Sequence, residues 1–192
     1  MTNIAVILGS TRPNRVGSAV AEWVYEQARQ RNDATFELVD LADFNLPLLD
    51  EPYPPSLNMY QHEHTKTWSA KIAEFDGYVF VSAEYNHSIP AALKNALDYL
   101  YYEWHDKAAG FVSYGGDSGL RVVEHLRGIA AELHLADVQA TVNFSLITDF
   151  EDYSVFQPKS RHGEALTTML DQLASWSEAM CAIRSTSADL AA

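Results

Sequence analysis

Ile4-Ala5-Val6-Ile7-Leu8-Gly9-Ser10-Thr11-Arg12-Pro13-Asn14-Arg15 is the stretch that decides the fold. Its first five residues are apolar without interruption and stop at a glycine, the pattern of a short strand buried on both faces in a parallel sheet. A polar loop follows. Beyond it Val16, Val20, Trp23, Val24 and Ala28 recur at spacings of three and four, which lays one apolar stripe along a helix.

The same unit repeats outward from there. Phe36 to Leu41 reads as a second strand, Thr65 to Phe75 as a helix with Trp68, Ile72 and Phe75 on one face, and Tyr78 to Ser82 as a third strand. Ile89 to Leu100 carries Leu93, Ala96, Leu97 and Leu100 at helical spacing, and Ala108 to Tyr114 is strand-like. Leu120, Val123, Leu126, Ala130 and Leu133 form another helical stripe. Val138 to Val142 reads as a fifth strand, and Leu166, Met169, Leu170, Leu173, Trp176 and Met180 as a last helix. Five strands alternating with five helices require a parallel sheet covered on both faces, because right-handed crossovers deposit helices on either side. The expected fold class is α/β, a doubly wound five-stranded parallel sheet.

The 192 residues, 47% of them hydrophobic, suffice for one buried core, so a single domain over 1–184 is expected, with a small, polar tail at 185–192 prone to fray. Two segments stand outside the alternation: 45–60, with prolines at 47, 52, 54 and 55, and 148–161. Both are read as ordered surface loops, either functional or merely connecting. Twenty-six acidic against thirteen basic residues give a net charge of −13, which repels nucleic acid and anionic membranes. No apolar run approaches a bilayer span, and the N-terminus lacks a signal-peptide pattern, so a cytoplasmic location is expected. The lone Cys181 has no disulfide partner, and its apolar sequence neighbours suggest packing.

In a doubly wound sheet ligands bind at the carboxyl ends of the strands. The loops after strands one, three and four are therefore the candidate site: Gly9 to Gly17, Ala83 to Pro90, and Gly115 to Gly119. The first combines the hydroxyls of Ser10, Thr11 and Ser18 with Arg12 and Arg15 at a helix start. Free amides, the helix dipole and forked guanidinium donors all favour an anion there. The plain alternative is solvated surface arginines and ordinary capping hydroxyls. No Gly-x-Gly-x-x-Gly follows strand one and no Gly-Lys-Ser/Thr closes the loop, so ATP and a Rossmann dinucleotide lose support. A tyrosine phosphatase of low molecular weight would need a cysteine in this loop, and none is present.

Glu84-Tyr85-Asn86-His87-Ser88 is a polar and aromatic wall running into Ile89-Pro90 at a helix start. Ser113-Tyr114-Gly115-Gly116 offers backbone bare of side chains to a flat ring. His62 and His64, two apart, point to different sides of a helix and are read as surface residues, and no metal site is expected. Tyr99, Tyr101, Tyr102 and Trp104 suggest an interface or a substrate wall, with core packing as the alternative.

Gly9-Ser10-Thr11-Arg12 with Arg15 and Gly17, then Glu84 to Asp98, then Ser113 to Gly116, resemble the NAD(P)H-dependent FMN reductase family, with its quinone, azo-dye and chromate reductases, over about residues 3 to 142. The resemblance implies a flavodoxin-like sheet in the order 2-1-3-4-5, with bound FMN and NAD(P)H as co-substrate. It places the FMN phosphate at Ser10, Thr11, Arg12 and Arg15, with Gly17 and Ser18 at the helix start. Glu84, Tyr85, Asn86, His87 and Ser88 would lie beside the isoalloxazine, and Ser113, Tyr114, Gly115 and Gly116 under its pyrimidine end. Members commonly place Pro before Glu-Tyr-Asn where this chain has Ala83, which removes one source of rigidity. The resemblance further implies a ping-pong relay: hydride passes from the nicotinamide to flavin N5, then electrons pass to quinones, free flavin or similar small-molecule acceptors. No side-chain acid or base is expected to be catalytic. A homodimer or a tetramer of dimers is also implied. A flavodoxin-type electron carrier, without its own NAD(P)H reductase activity, is the alternative function.

Overall fold

The computed structural model describes residues 1–191, with side chains to Thr186. Parallel strands β1 (Thr2–Leu8), β2 (Ala34–Asp40), β3 (Gly77–Ala83), β4 (Lys107–Gly115) and β5 (Leu135–Ser145) form one sheet in the order β2-β1-β3-β4-β5, as the sequence resemblance implied. Helices α1 (Gly17–Ala28), α2 (Glu63–Ala73), α3 (Ala91–Asp98) and α4 (Leu120–Glu132) make the four crossovers, and α5 (Ser160–Ala191) packs on the sheet after its last strand. The alternation of β1 sorts its side chains into two cores. Ile4, Val6 and Leu8 pack with Val20 and Val24 of α1 and Met169 of α5, while Ala5 and Ile7 pack with Trp68, Leu93 and Val122 from α2, α3 and α4. The central strands β1, β3 and β4 therefore bury both faces and lack the polar alternation of a half-exposed strand, which the edge strands β2 and β5 keep. Because the strands run parallel, their carboxyl ends gather the three candidate loops on one edge.

Several details depart from the sequence reading. β5 runs eleven residues rather than the five from Val138 to Val142, because it pairs in two registers either side of a shift between Ala109 and Phe111. An edge strand can lengthen this way through positions that are polar on its open side. The segment 148–161 is not loop throughout: β6 (Phe150–Glu151) and β7 (Val155–Phe156) form an antiparallel hairpin, and α5 starts at Ser160. Short 3-10 turns occupy Leu41–Phe44 and Pro55–Leu57. The helical backbone of α5 extends to Ala191, into the tail 185–192 for which fraying is expected.

Tyr99 and Trp104 are core residues, not a wall. Tyr99 is fully buried and donates to Asp50 Oδ1 at 2.9 Å, and the Trp104 indole N–H donates to Leu97 O at 3.2 Å. Tyr101 packs partly against the same core, and only Tyr102 is largely exposed. His62 and His64 do not diverge: His62 lies ahead of α2 in extended backbone, so its ring stacks on His64 with centroids 5.2 Å apart. Cys181 does not sit among apolar neighbours. Its Sγ lies 3.1 Å from Asp76 Oδ1 and 3.1 Å from Arg184 Nη2, and burial together with Asp76 raises the thiol pKa.

Candidate functional site

The first loop leaves β1 with the Gly9 amide donating to Val81 O at 2.9 Å. A Cβ at Gly9 would come within 2.9 Å of Leu93 Cδ2 and 3.1 Å of Val81 O, so the turn can stay this close to β3 and α3 only with glycine. Ser10 is fully buried, its hydroxyl 2.8 Å from the Tyr85 hydroxyl and 3.4 Å from the Arg12 amide. Asn14 takes a positive φ of 57°, which turns the chain into α1. No side chain caps that helix: Val16 occupies the cap position. The leading amides of α1 are thus left for another acceptor, as an anion seat requires.

The two arginines differ. The Arg15 guanidinium pairs with Asp40 at the end of β2 and donates through Nε to Ser18 Oγ at 3.2 Å. The Arg12 side chain is exposed, and no described carboxylate or hydroxyl pairs with it. Arg12 is the uncommitted cation of the loop, and Arg15 is a cation already balanced by a carboxylate. Thr11 is exposed and lines a neighbouring cleft of about 290 Å³ with Asn45 and Asn95.

Tyr114 lies across the same helix start. A Cβ on Gly17 would collide with its hydroxyl, so Gly17 is required by this tyrosine. The ring is buried, and the hydroxyl, though beside Ser10, meets no partner at hydrogen-bonding geometry. Burial and the Tyr85 phenol push its pKa upward, against the opposing pull of the nearby Ser10 hydroxyl, Arg12 and Arg15, so it stays a protonated donor. A buried, unsatisfied O–H beside uncapped amides and a free guanidinium is the donor set a phosphate ester needs.

The second loop is a two-residue hairpin turn. Tyr85 and Ser88 exchange both main-chain hydrogen bonds, at 2.9 and 3.1 Å, with Asn86 and His87 at φ of 51° and 69°. Positive φ at both central residues defines a type I′ turn, so rigidity comes from this turn although Ala83 replaces the usual proline. Ser88 Oγ contacts His125 Nδ1 at 2.9 Å. Glu84, nearly buried, donates its amide to Tyr114 O at 2.8 Å and accepts from Arg121 Nη1 at 2.8 Å; Arg121 also reaches Asp117 Oδ2 at 3.0 Å. This carboxylate–guanidinium–carboxylate link joins the second loop to the third. Its other oxygen, Glu84 Oε2, is buried without a partner, a second unsatisfied group at the same edge.

In the third loop Gly115 and Gly116 serve different ends. A Cβ on Gly115 would lie 2.9 Å from Glu84 Cβ, so that glycine permits loop-to-loop packing, whereas Gly116 faces open space. Ser113 is not presented to a ligand. It is fully buried, donates to Ser118 O at 3.0 Å and accepts from Asn143 Nδ2 at 2.7 Å, bracing the loop through the positive-φ pair Ser118 and Gly119. The expected residues therefore gather on one edge, with Ser10, Arg12, Tyr114 and the α1 amides together at the helix start, and Tyr85, Glu84 and Gly116 beside them. Asp40, Arg121 and Asn143 were missed by sequence reasoning. Only Asp117–Arg121, four apart at a helix start, left a signal there. Among the described residues no group of three or more His, Cys, Asp or Glu could hold a metal ion.

A flavodoxin-like sheet with an uncapped helix start, a buried unsatisfied hydroxyl and two further loops at its carboxyl edge is the frame of an FMN-binding redox protein. Residues 2–149 match the sequence profile of the NADPH-dependent FMN reductases, and the chain belongs to that family. It is an oxidoreductase, and FMN with NAD(P)H as electron donor is the cofactor system of its family. It is 44% identical over 134 residues to an NAD(P)H-dependent FMN reductase of Schizosaccharomyces pombe, covering 69% of this chain and 67% of that one. A 2-hydroxy-1,4-benzoquinone reductase of a Burkholderia species is 29% identical over 90% of this chain and 94% of its own. Among solved structures, an NAD(P)H:acceptor oxidoreductase from Paracoccus denitrificans superposes with a TM-score of 0.71 at 18% identity, covering 94% of this chain and 99% of that one.

Proposed function

We propose that this chain holds FMN at the edge described, with the phosphate on the α1 start and the ring between the Glu84–Ser88 and Gly115–Gly116 loops. The carrying observation is the buried Tyr114 hydroxyl without a partner, set against a helix start that no side chain caps. Arg12, Ser10, Thr11 and the first α1 amides take the phosphate oxygens. The Tyr114 hydroxyl, which burial keeps un-ionised, donates a hydrogen bond to them. Arg15 stays on Asp40 and Ser18, holding the loop's shape and tempering its charge.

Bound FMN would supply two-electron chemistry, taking hydride from NAD(P)H at N5 and passing the electrons to a quinone, a free flavin or a similar acceptor that follows the nicotinamide in ping-pong order. The protein's share is placement. The type I′ turn fixes Asn86 and His87, the Glu84–Arg121–Asp117 link sets the spacing of the two ring loops, and Gly116 leaves room for a flat group. No side chain here is assigned a proton-transfer role. Assembly as a homodimer or a tetramer of dimers belongs to the same proposal, supported by an apolar groove of about 790 Å³ between α3 and α4, lined by Ile89, Ile129 and Leu133 and reaching Ser88. So does a cytoplasmic location, supported by the single free cysteine.

Stopped-flow mixing of the FMN-loaded protein with NADPH and with NADH tests this function. Bleaching of the flavin within the turnover time, followed by reoxidation with benzoquinone, is expected. Slow bleaching by both nucleotides would instead establish a flavodoxin-type carrier.

A further inference from the structure

Behind the third loop lies a buried carboxylate, paired with two exposed cations, that no step above uses. The turn after β5 hangs on the glycines: the Leu146 amide donates to Gly115 O at 2.9 Å and Ser145 Oγ donates to Gly116 O at 3.2 Å. Asp149, 1% exposed, fixes that turn from the far side. Its Oδ2 accepts the Ser145 amide at 2.9 Å, and its own amide returns to Ser145 O at 2.9 Å. Its Oδ1 accepts from Lys159 Nζ and Arg161 Nη2, each at 2.9 Å, and Lys159 Nζ also reaches Thr148 O at 2.7 Å. His162, packed on the Phe144 ring, completes the set. Its Nδ1 accepts the Lys159 amide at 2.9 Å, so the neutral ring bears its proton on Nε2, which faces Asp149 Oδ2 at 3.6 Å.

Burial works against the Asp149 carboxylate, but Lys159 and the Ser145 amide outweigh it and hold the carboxyl below its usual range. A carboxylate held by the Ser145 amide at the end of β5, by Lys159 just before α5 and by Arg161 in its first turn has little freedom to move, and it passes that immobility to Ser145. We propose that Asp149 is a positioning residue for the flavin, setting through Ser145 the place of the Gly115–Gly116 backbone against the ring. This rests on the assignment of that loop to the flavin. Ring-binding backbone displaced by a fraction of an ångström loses alignment with groups on the ring, and loses it differently for the oxidised and reduced forms. A carboxylate that served only to staple the hairpin and α5 would change unfolding and leave the flavin untouched.

Asp149→Ala, Asp149→Asn and Ser145→Ala separate the two. Asp149→Ala removes the acceptor of the Ser145 amide. FMN and riboflavin should both bind on the order of tenfold more weakly, by equal factors because the ring is shared, and the flavin midpoint potential should move. Ser145→Ala cuts only the Ser145 Oγ bonds, to Gly116 O and to the Ile147 amide. It should shift affinity and potential in the same direction with an unfolding midpoint near wild type, which keeps the test decisive even if Asp149→Ala folds poorly. Asp149→Asn keeps an acceptor for the Ser145 amide but loses both ion pairs, so flavin affinity should recover while stability does not. Wild-type flavin affinity and potential in Ser145→Ala and in folded Asp149→Ala would overturn the proposal. Failure of the wild-type protein to take up FMN would overturn the flavin assignment and this proposal together.

Discussion

Replacing Arg12 with alanine should weaken FMN and leave riboflavin unchanged. Arg12 is the cation of the first loop that no described carboxylate balances, whereas Arg15 is bound to Asp40. A hydrogen bond from a charged donor contributes about 1.5–3 kcal/mol, and Arg12 is exposed, so the lower part of that range applies. The expected loss is roughly ten- to thirtyfold in the FMN dissociation constant. Because the contribution is electrostatic at an exposed position, it should shrink as salt is raised from tens of millimolar toward molar. Titration of apoprotein with FMN and with riboflavin, followed by flavin fluorescence at two salt concentrations, measures it. Equal losses for the two flavins, or a loss indifferent to salt, would refute the assignment of Arg12 to the phosphate.

Asp40→Asn preserves the side-chain acceptor for the Ala42 amide but frees Arg15 and removes a negative charge beside the anion seat, so FMN should bind several-fold tighter with riboflavin unaffected. Weaker FMN binding in calorimetry would mean that Arg15 needs Asp40 to hold its place. Gly116→Val, pointing into open space, should abolish flavin uptake while leaving the apoprotein's urea midpoint unchanged; a normal flavin-to-protein absorbance ratio would count against the ring position. Lys107 is buried, with Nζ on Ile72 O at 3.2 Å and the Tyr78 hydroxyl at 3.0 Å, and burial lowers its pKa to about 8. The unfolded chain keeps the higher lysine value and binds more protons above that pH, so stability should rise between pH 7 and 9 by about 1 kcal/mol. Below pH 7 both states hold the proton and the burial cost is constant; Lys107→Met should remove the rise, and parallel urea curves for variant and wild type would refute the linkage. Gly128 faces the α3–α4 groove with nothing within 4 Å of its missing Cβ, so Gly128→Glu should fill the groove without a clash. Sedimentation should then report monomers, and an unchanged mass would remove that groove as the subunit contact.

The sequence alone determined the order of elements and the sheet edge on which the three candidate loops gather. Uninterrupted apolar runs such as Ile4 to Leu8 can only be strands buried on both faces, and their alternation with helical stripes forces parallel crossovers. Short-range rules also singled out the loop proposed to seat the phosphate, since a helix start and its neighbours are local. Which of its arginines is free was not legible, because Asp40 lies 25 residues from Arg15 and reaches it only when β2 pairs with β1. The same holds for Tyr114, whose hydroxyl crosses to Gly17 from another strand, and for Arg121, which reaches back 37 residues to Glu84. Sequence neighbours misread Cys181, since Asp76 approaches it from a distance of 105 residues, and they misread Tyr99 and Trp104, whose polar atoms find partners on Asp50 and Leu97. Periodicity reports which face a side chain takes. Whether a charge or a hydroxyl on that face is already satisfied depends on groups brought together only by folding.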